Sequence, residues 1–323
     1  MLELHGEYGQ KVGNEQPKLT EIFDGFSRSV IAVMAARDPA TAIHSQRVST
    51  YTLALAHAVH ESQLPPFAHV QFTSQQFEEL RFASLLHDIG KVVLRREILL
   101  KSAKLTDPDL AHLLERIDLF AAWFGTQTPE KLGDAYRSPR DFDAYRETVQ
   151  RVVQADVQPD AADEQRLAEM ARTFITPCPD LPLLSPAEFE CLHIAHGTLS
   201  ESERDEIRQH AIVSWQYLTQ IPWPKQWEKV PVFVLQHHEK LDGSGYPYGL
   251  AGDQILIQSR MITVCDIFDA LTGGDRSYKT RHDFAAAARF LDEDVREGRL
   301  DSDIVALFKS EIIPKIRDLA EPV

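Results

Sequence analysis

The apolar positions along the chain follow the spacing of helices. Ile22, Phe23, Phe26, Val30 and Ile31 fall on one stripe of a helix. Pro39 has no amide hydrogen and predicts a break after that stripe. A second helix is predicted over "TAIHSQRVSTYTLALAHAVH" and a third over "SQQFEELRFASLLHD", with Ser74 placed to cap its first turn. "PKQWEKVPVFVLQHHEK" reads as another helix, with Pro224 near its start and Pro231 as an internal kink. "ILIQSRMITVCDIFDAL" has a broad apolar face, and residues 283–320 read as two or three terminal helices. No strand pair and no internal repeat emerges. The predicted fold class is therefore all-α.

The middle breaks this rhythm. Residues 123–185 mix short helical patterns with "GTQTPEKLGD", "SPRDFD", "QPDAADEQ" and "TPCPDLPLLSP", where proline and acidic residues are frequent. That composition predicts an inserted helical and irregular subdomain or loosely packed lid, without a second independent core and without metal ligands, that restricts access or forms a partner surface. A polar extension over residues 1–19 precedes the main domain, which runs over residues 20–323.

Charge changes the picture next. A formal net charge of −15 over 323 residues argues against a nucleic-acid polymer as partner, because such binders present a basic face. An anionic small molecule in a locally cationic pocket stays compatible with it. Cys178, Cys191 and Cys265 are too few and too scattered for a disulfide framework or a thiolate metal site, so a reducing cytoplasm is the expected setting. No apolar run approaches the ~18 residues of a membrane span, and the start "MLELHGEYGQKVGNEQ" lacks the pattern of a signal peptide.

Histidines carry the chemistry. "HHEKLDGSGYP", residues 237–247, sets two imidazoles side by side and then runs into a glycine-rich turn, which suggests a metal centre rimmed by a loop. "LLHDIGK" sets His87 beside Asp88 at the end of an apolar helical run. Both can reach one ion when ligand bonds are only about 2 Å long, and the two oxygens of Asp88 allow it to bridge two ions. "HSQRVS" offers His44, "RQHAIVSWQYL" offers His210, and the histidine pair offers His237 and His238. Asp266 lies inside an otherwise apolar helix, where an unpaired carboxylate is costly. Five imidazoles and two carboxylates without a thiol suit iron, manganese, zinc, nickel or cobalt better than magnesium or calcium. The remaining histidines lack such context, and Trp215, Trp223 and Trp227 read as core packing before base stacking.

The order His44, His87-Asp88, Asp266 resembles the HD superfamily of metal-dependent phosphohydrolases. "HDIGK", "HHEKLDGSGYP" and "SRMITVCDIFDALTGGDRSYK" together resemble its HD-GYP subfamily of cyclic di-GMP phosphodiesterases, over about residues 20–105 and 200–315. The resemblance implies an HD-type helical bundle and hydrolysis of cyclic di-GMP to pGpG or GMP. It implies two transition-metal ions, iron or manganese first, with zinc, nickel and cobalt as further candidates. His44, His87, Asp88 and Asp266 would hold one ion, and Asp88 would bridge to a second held by His210, His237 and His238. Lys91 matches the lysine that faces the reacting phosphate, Gly245 and Tyr246 the loop bordering the substrate, and Arg276 and Lys279 the pair that meets a phosphate. Asp269 matches a second, substrate-side carboxylate. Two cations ~3.5–4 Å apart activate a water and offset phosphoryl charge, which is the chemistry implied.

Three departures qualify the match. Some members carry a glutamate four residues before the first histidine that helps hold a third ion; here that residue is Ala40, which favours two ions. Ser277 stands where proline is usual, and the span between His87 and His210 is longer than in most members. The family's usual regulatory domain does not appear in this stretch. Either the stretch is a fragment of a longer protein, or a separate sensor or GGDEF-type signalling protein is its partner beside the cyclic dinucleotide, with an oligomer left open.

Overall fold

Asp38 ends one helix and starts the next. Its carboxylate accepts the Ala40 amide at 3.1 Å and the Thr41 hydroxyl at 2.5 Å. Pro39 then occupies the first helical position, where its missing N–H leaves nothing unpaired. The computed structural model describes residues 3–63, 65–126, 141–175, 178–274 and 282–320, with side chains from Lys18 to Arg317 apart from 175–180.

The chain divides into two units: residues 1–93 with 208–323, and residues 94–207. The first unit opens with α1 (Glu3–Arg37), α2 (Pro39–Glu61) and α3 (Ser74–Leu86). The second unit holds α4 (Arg96–Leu99), α5 (Asp107–Gly125), α6 (Phe142–Val152), α7 (Ala161–Ala171) and α8 (Pro186–Leu192). α9 (Glu201–Thr219) leads back into the first unit. That unit continues through α10 (Val230–Leu235), α11 (Ile257–Thr272), α12 (Phe284–Arg296), α13 (Ser302–Leu307) and α14 (Ile313–Ala320). The all-α class holds, with one small exception. β1 (Phe174–Ile175) pairs antiparallel with β2 (Cys178–Pro182), a strand pair too short to leave a period-two pattern.

Two helix-level expectations need correction. Thr73, not Ser74, caps α3: its hydroxyl accepts the Gln76 amide, and the Gln76 side chain accepts the Thr73 amide. Pro231 does not kink a long helix. It lies in the first turn of the short α10, after a separate 3₁₀ turn at Lys225–Trp227, where its ring has no preceding helical carbonyl to strike.

In the first unit α2 packs against α3 and α11. Val48, Leu55, Leu80, Phe82, Leu86, Met261, Val264 and Phe268 are fully buried there. Burying each such side chain contributes roughly 1.5–3 kcal/mol before entropic costs. Phe23 stacks on Trp223 at 4.9 Å and meets Trp227 edge-on at 5.2 Å, so these indoles are core residues as expected.

The second unit overturns the expectation of a loose cover. Leu113, Phe120, Val149, Val152, Leu167, Met170, Leu183 and Leu192 form a buried cluster of their own. Proline and acid content misled because these residues sit at turns and first helical turns: Asp160 and Ser185 cap α7 and α8, and Pro186 begins α8. The core residues lie between them at helical spacing. Residues 127–140 of the expected 123–185 insertion lie outside the described residues.

Candidate metal centre

Five local structures deliver the candidate ligands, all within the first unit. α2 carries His44 on a half-buried face. α3 ends at His87, and the next residue is Asp88. The 3₁₀ turn Ile89–Val93 then passes very close to α9. The Gly90 amide donates to Ser214 Oγ at 2.8 Å, and a Cβ on Gly90 would lie 2.2 Å from the His210 carbonyl oxygen. Only glycine permits that approach, which sets Asp88 beside His210. α10 ends at Gln236 and releases His237 and His238, while α11 supplies Asp266.

These side chains converge. His44, His87 and Asp266 form one group of potential ligand atoms, and His210, His237 and His238 form another. A third group, His87, Asp88 and His237, joins them. Within each group the ligand atoms lie within 4.8 Å of one another. Asp88 turns one oxygen to each side. Its Oδ2 is 3.4 Å from His87 Nε2 and 3.7 Å from His44 Nε2, and its Oδ1 is 3.3 Å from His210 Nε2. His237 and His210 meet Nε2 to Nε2 at 3.4 Å. Asp266 lies 3.0 Å from His44 Nε2 and 3.7 Å from His238 Nδ1.

Whether a cation suits this cluster is decided by its polar atoms. His87 Nε2 and Asp88 Oδ1 are fully buried and make no hydrogen bond among the described residues. Orphans of that kind are costly in a native interior. Meanwhile His87 Nδ1 donates to the Ser84 carbonyl at 2.7 Å and His237 Nδ1 to the Val234 carbonyl at 2.5 Å. Those bonds leave both Nε2 lone pairs directed into the cluster, the tautomer a metal ligand requires. The donor set fits a transition metal.

The electrostatics agree. Burial opposes the charge on Asp88, yet Lys91, His87 and His210 hold its carboxyl well below the usual range. Asp266 is likewise lowered against burial, by His44 and His238. Burial, followed by the charges of His87 and His210, lowers His237 to about 3, and His238 falls well below 6.5 through burial and His237. Both are neutral and ready to ligate. His44 differs: burial lowers it, but hydrogen bonds to Asp266 and Asp269 outweigh that and raise it to about 9. In the metal-free protein its imidazolium therefore adds stability that is complete below pH ~6.5 and is lost as pH rises through about 9.

An ion at His44 must displace that proton. Metal uptake at pH 7.5 is expected to release about one proton from His44 and none from His237 or His238. The affinity of the His44 half should rise roughly tenfold per pH unit between about pH 6 and 8. Proton release on metal addition in weakly buffered protein, followed with an indicator dye, checks this; uptake with no release would show that His44 is not a ligand.

The other expected site residues divide. Lys91 is at the centre, its Nζ 2.6 Å from Asp88 Oδ2. Tyr246 packs its ring 4.7 Å from that of His238, and burial together with Asp266 and Asp88 pushes its phenol upward, so it stays a hydroxyl donor. Gly245 is tightly enclosed: a Cβ there would lie 2.3 Å from the Lys240 nitrogen. Asp269, expected on the substrate side, has His44 and Arg47 as its side-chain partners. It is buried, and its carboxylate accepts from His44 Nδ1 at 2.7 Å and from Arg47 at 2.6 and 2.9 Å. One turn along α11 from Asp266, it is carried behind His44. Arg276 and Lys279 lie outside the described residues.

Sequence reasoning missed Arg47, Gly90 and Glu239. Glu239 is buried, and its two oxygens accept the Tyr248 and Leu250 amides at 2.8 and 2.9 Å, folding the glycine loop back on the histidine pair. A glutamate directly after two histidines was the available signal.

Comparison with known sequences bears on this geometry. A sequence model of the HD domain matches residues 183–304, which hold His210, His237, His238 and Asp266. A cyclic di-GMP phosphodiesterase of Pseudomonas aeruginosa, PA4108, is 45% identical over 74 residues, 23% of this chain and 17% of its own length. RpfG of Xanthomonas campestris, a cyclic di-GMP phosphodiesterase response regulator, is 33% identical over 134 residues, 40% of this chain and 32% of its own. The chain is thus similar to an HD domain and to proteins named cyclic di-GMP phosphodiesterases, in line with the HD-GYP resemblance of its motifs. A 3′3′-cGAMP-specific phosphodiesterase of Vibrio cholerae is also similar, 33% identical over 116 residues, 36% of this chain and 24% of its own. The chain thus matches less than a third of the length of each of these relatives. No described helix is long and apolar enough to cross a membrane.

Proposed function

We propose that this chain is a metal-dependent phosphodiesterase that hydrolyses cyclic di-GMP to pGpG or GMP at a dinuclear centre. The observation that carries the reading is the carboxylate of Asp88, with Oδ2 toward His44 and His87 and Oδ1 toward His210. His44, His87, Asp266 and Asp88 would hold one ion, and His210, His237, His238 and Asp88 the other. Iron or manganese suits this mixed imidazole and carboxylate set. When bound, such a pair activates a water and neutralises charge on phosphoryl oxygens.

The chain's own residues do the rest. Lys91 places an ammonium beside Asp88, where negative charge on the phosphoryl group would develop. Tyr246 offers a hydroxyl from the loop that Glu239 and Gly245 hold against the histidine pair. Arg276 and Lys279 are the proposed contacts to the second phosphate. Local cations of this kind let a protein of net charge −15 accept a dianion.

A second reading has its own support. Relatives named 3′3′-cGAMP-specific match at similar identity, so a mixed cyclic dinucleotide is the rival substrate. Metal-loaded protein should be incubated with cyclic di-GMP, 3′3′-cGAMP and cyclic di-AMP, with products separated by chromatography. The expected result is pGpG or GMP from cyclic di-GMP at the highest rate. Faster cleavage of 3′3′-cGAMP would transfer the assignment to that substrate. Tight binding without cleavage of any would make the protein a receptor.

A further inference from the structure

The ligand histidines are aimed in two different ways. His87 and His237 are each held through Nδ1 by a main-chain carbonyl three residues back, Ser84 and Val234. No side-chain substitution can remove those bonds. The ring of His44 is instead held through Nδ1 by the Asp269 carboxylate at 2.7 Å, 225 residues away in sequence. Asp269 is itself gripped by Arg47, with Nε on Oδ1 at 2.6 Å and Nη2 on Oδ2 at 2.9 Å. Oδ2 thus takes both the imidazole and one arm of the guanidinium.

We propose that Arg47 is a positioning residue of the metal centre: it clamps Asp269, which fixes the His44 ring with Nε2 toward Asp88 and Asp266. The proposal rests on the dinuclear reading of the same site. Its geometry is that of two helical turns set against each other. His44 and Arg47 are three residues apart on α2, and Asp266 and Asp269 are three apart on α11. Residues at that spacing share a helix face. The four side chains therefore interlock as a two-by-two block, with His44 touching both carboxylates and Arg47 touching the rear one. A planar two-pronged donor fixes the rotation of a carboxylate as well as its position, which a single ammonium cannot do. Asp269 is 1% exposed, and its side-chain bonds run to His44 and Arg47. Outer partners of metal-binding histidines fix ring orientation and tautomer, and their loss typically costs about 10–100-fold in metal affinity.

The test is a cobalt(II) titration of metal-free protein, followed by visible absorption, for wild type, Arg47→Met, Arg47→Lys, Asp269→Asn and the Arg47→Met/Asp269→Asn double variant. Wild type should bind in two resolvable steps. Arg47→Met should weaken the step assigned to the His44 half by about 10–100-fold and leave the step of His210, His237 and His238 unchanged. Arg47→Lys should recover part of the loss. The double variant should be no worse than Asp269→Asn, because the two residues act through one bond. Equal weakening of both steps would mean that Arg47 merely supports packing, and the proposal would fall. Unchanged affinity in folded Arg47→Met would overturn it as well. Should Arg47→Met not fold, unchanged affinities in both Arg47→Lys and Asp269→Asn would overturn it equally. A wild type that binds no cobalt would instead overturn the metal reading on which it rests.

Discussion

Asp88→Asn will strip metal from both halves of the centre and abolish turnover while leaving helical content intact. Each oxygen of Asp88 faces a different group of candidate ligands, so one carboxylate would serve both proposed ions. An amide presents one weak acceptor and an N–H₂ that would point at one group or the other. It also removes the negative charge that Lys91 and any bound cations offset. Affinity should fall by more than the ~10–100-fold typical of losing an outer partner. The helices should survive, because Asp88 lies beyond the end of α3 and caps no helix. Elemental analysis beside circular dichroism checks this. A folded variant with full metal content would remove Asp88 from its bridging role.

Some candidate ligands were legible in the sequence because they were chemically out of place: a carboxylate in an apolar helix, paired imidazoles before a glycine turn. Asp266 and the His237-His238 pair announced themselves in that way. What lay behind them was not legible. Asp269 had the right composition for a substrate contact, and only its place one turn behind Asp266 shows that its oxygens are taken by His44 and Arg47. Arg47 looked like any charged residue on an amphipathic helix. Its meaning depends on α11, more than two hundred residues away in sequence, and no local pattern records such a pairing.

Gly90 and Glu239 teach a related point. Both stand inside motifs quoted for their histidines, and both act through backbone: Gly90 by having no Cβ against the His210 carbonyl, Glu239 by binding two loop amides. Residue chemistry does not signal roles of this sort. The second unit failed for the opposite reason. Turn residues dominate its composition, and they hid a buried cluster that helical spacing alone would have shown through Leu113, Ile117 and Phe120.

The proposed centre needs two ions to work. Metal-free protein should be titrated with iron(II) or manganese(II) under anaerobic conditions, with bound metal and cleavage of cyclic dinucleotide measured at every point. Bound metal is expected to level at two ions per chain, with turnover appearing only as the second is taken up. Full turnover in chelated protein, or at one ion per chain, would contradict the dinuclear site; a third ion held by protein side chains would contradict the reading of Ala40.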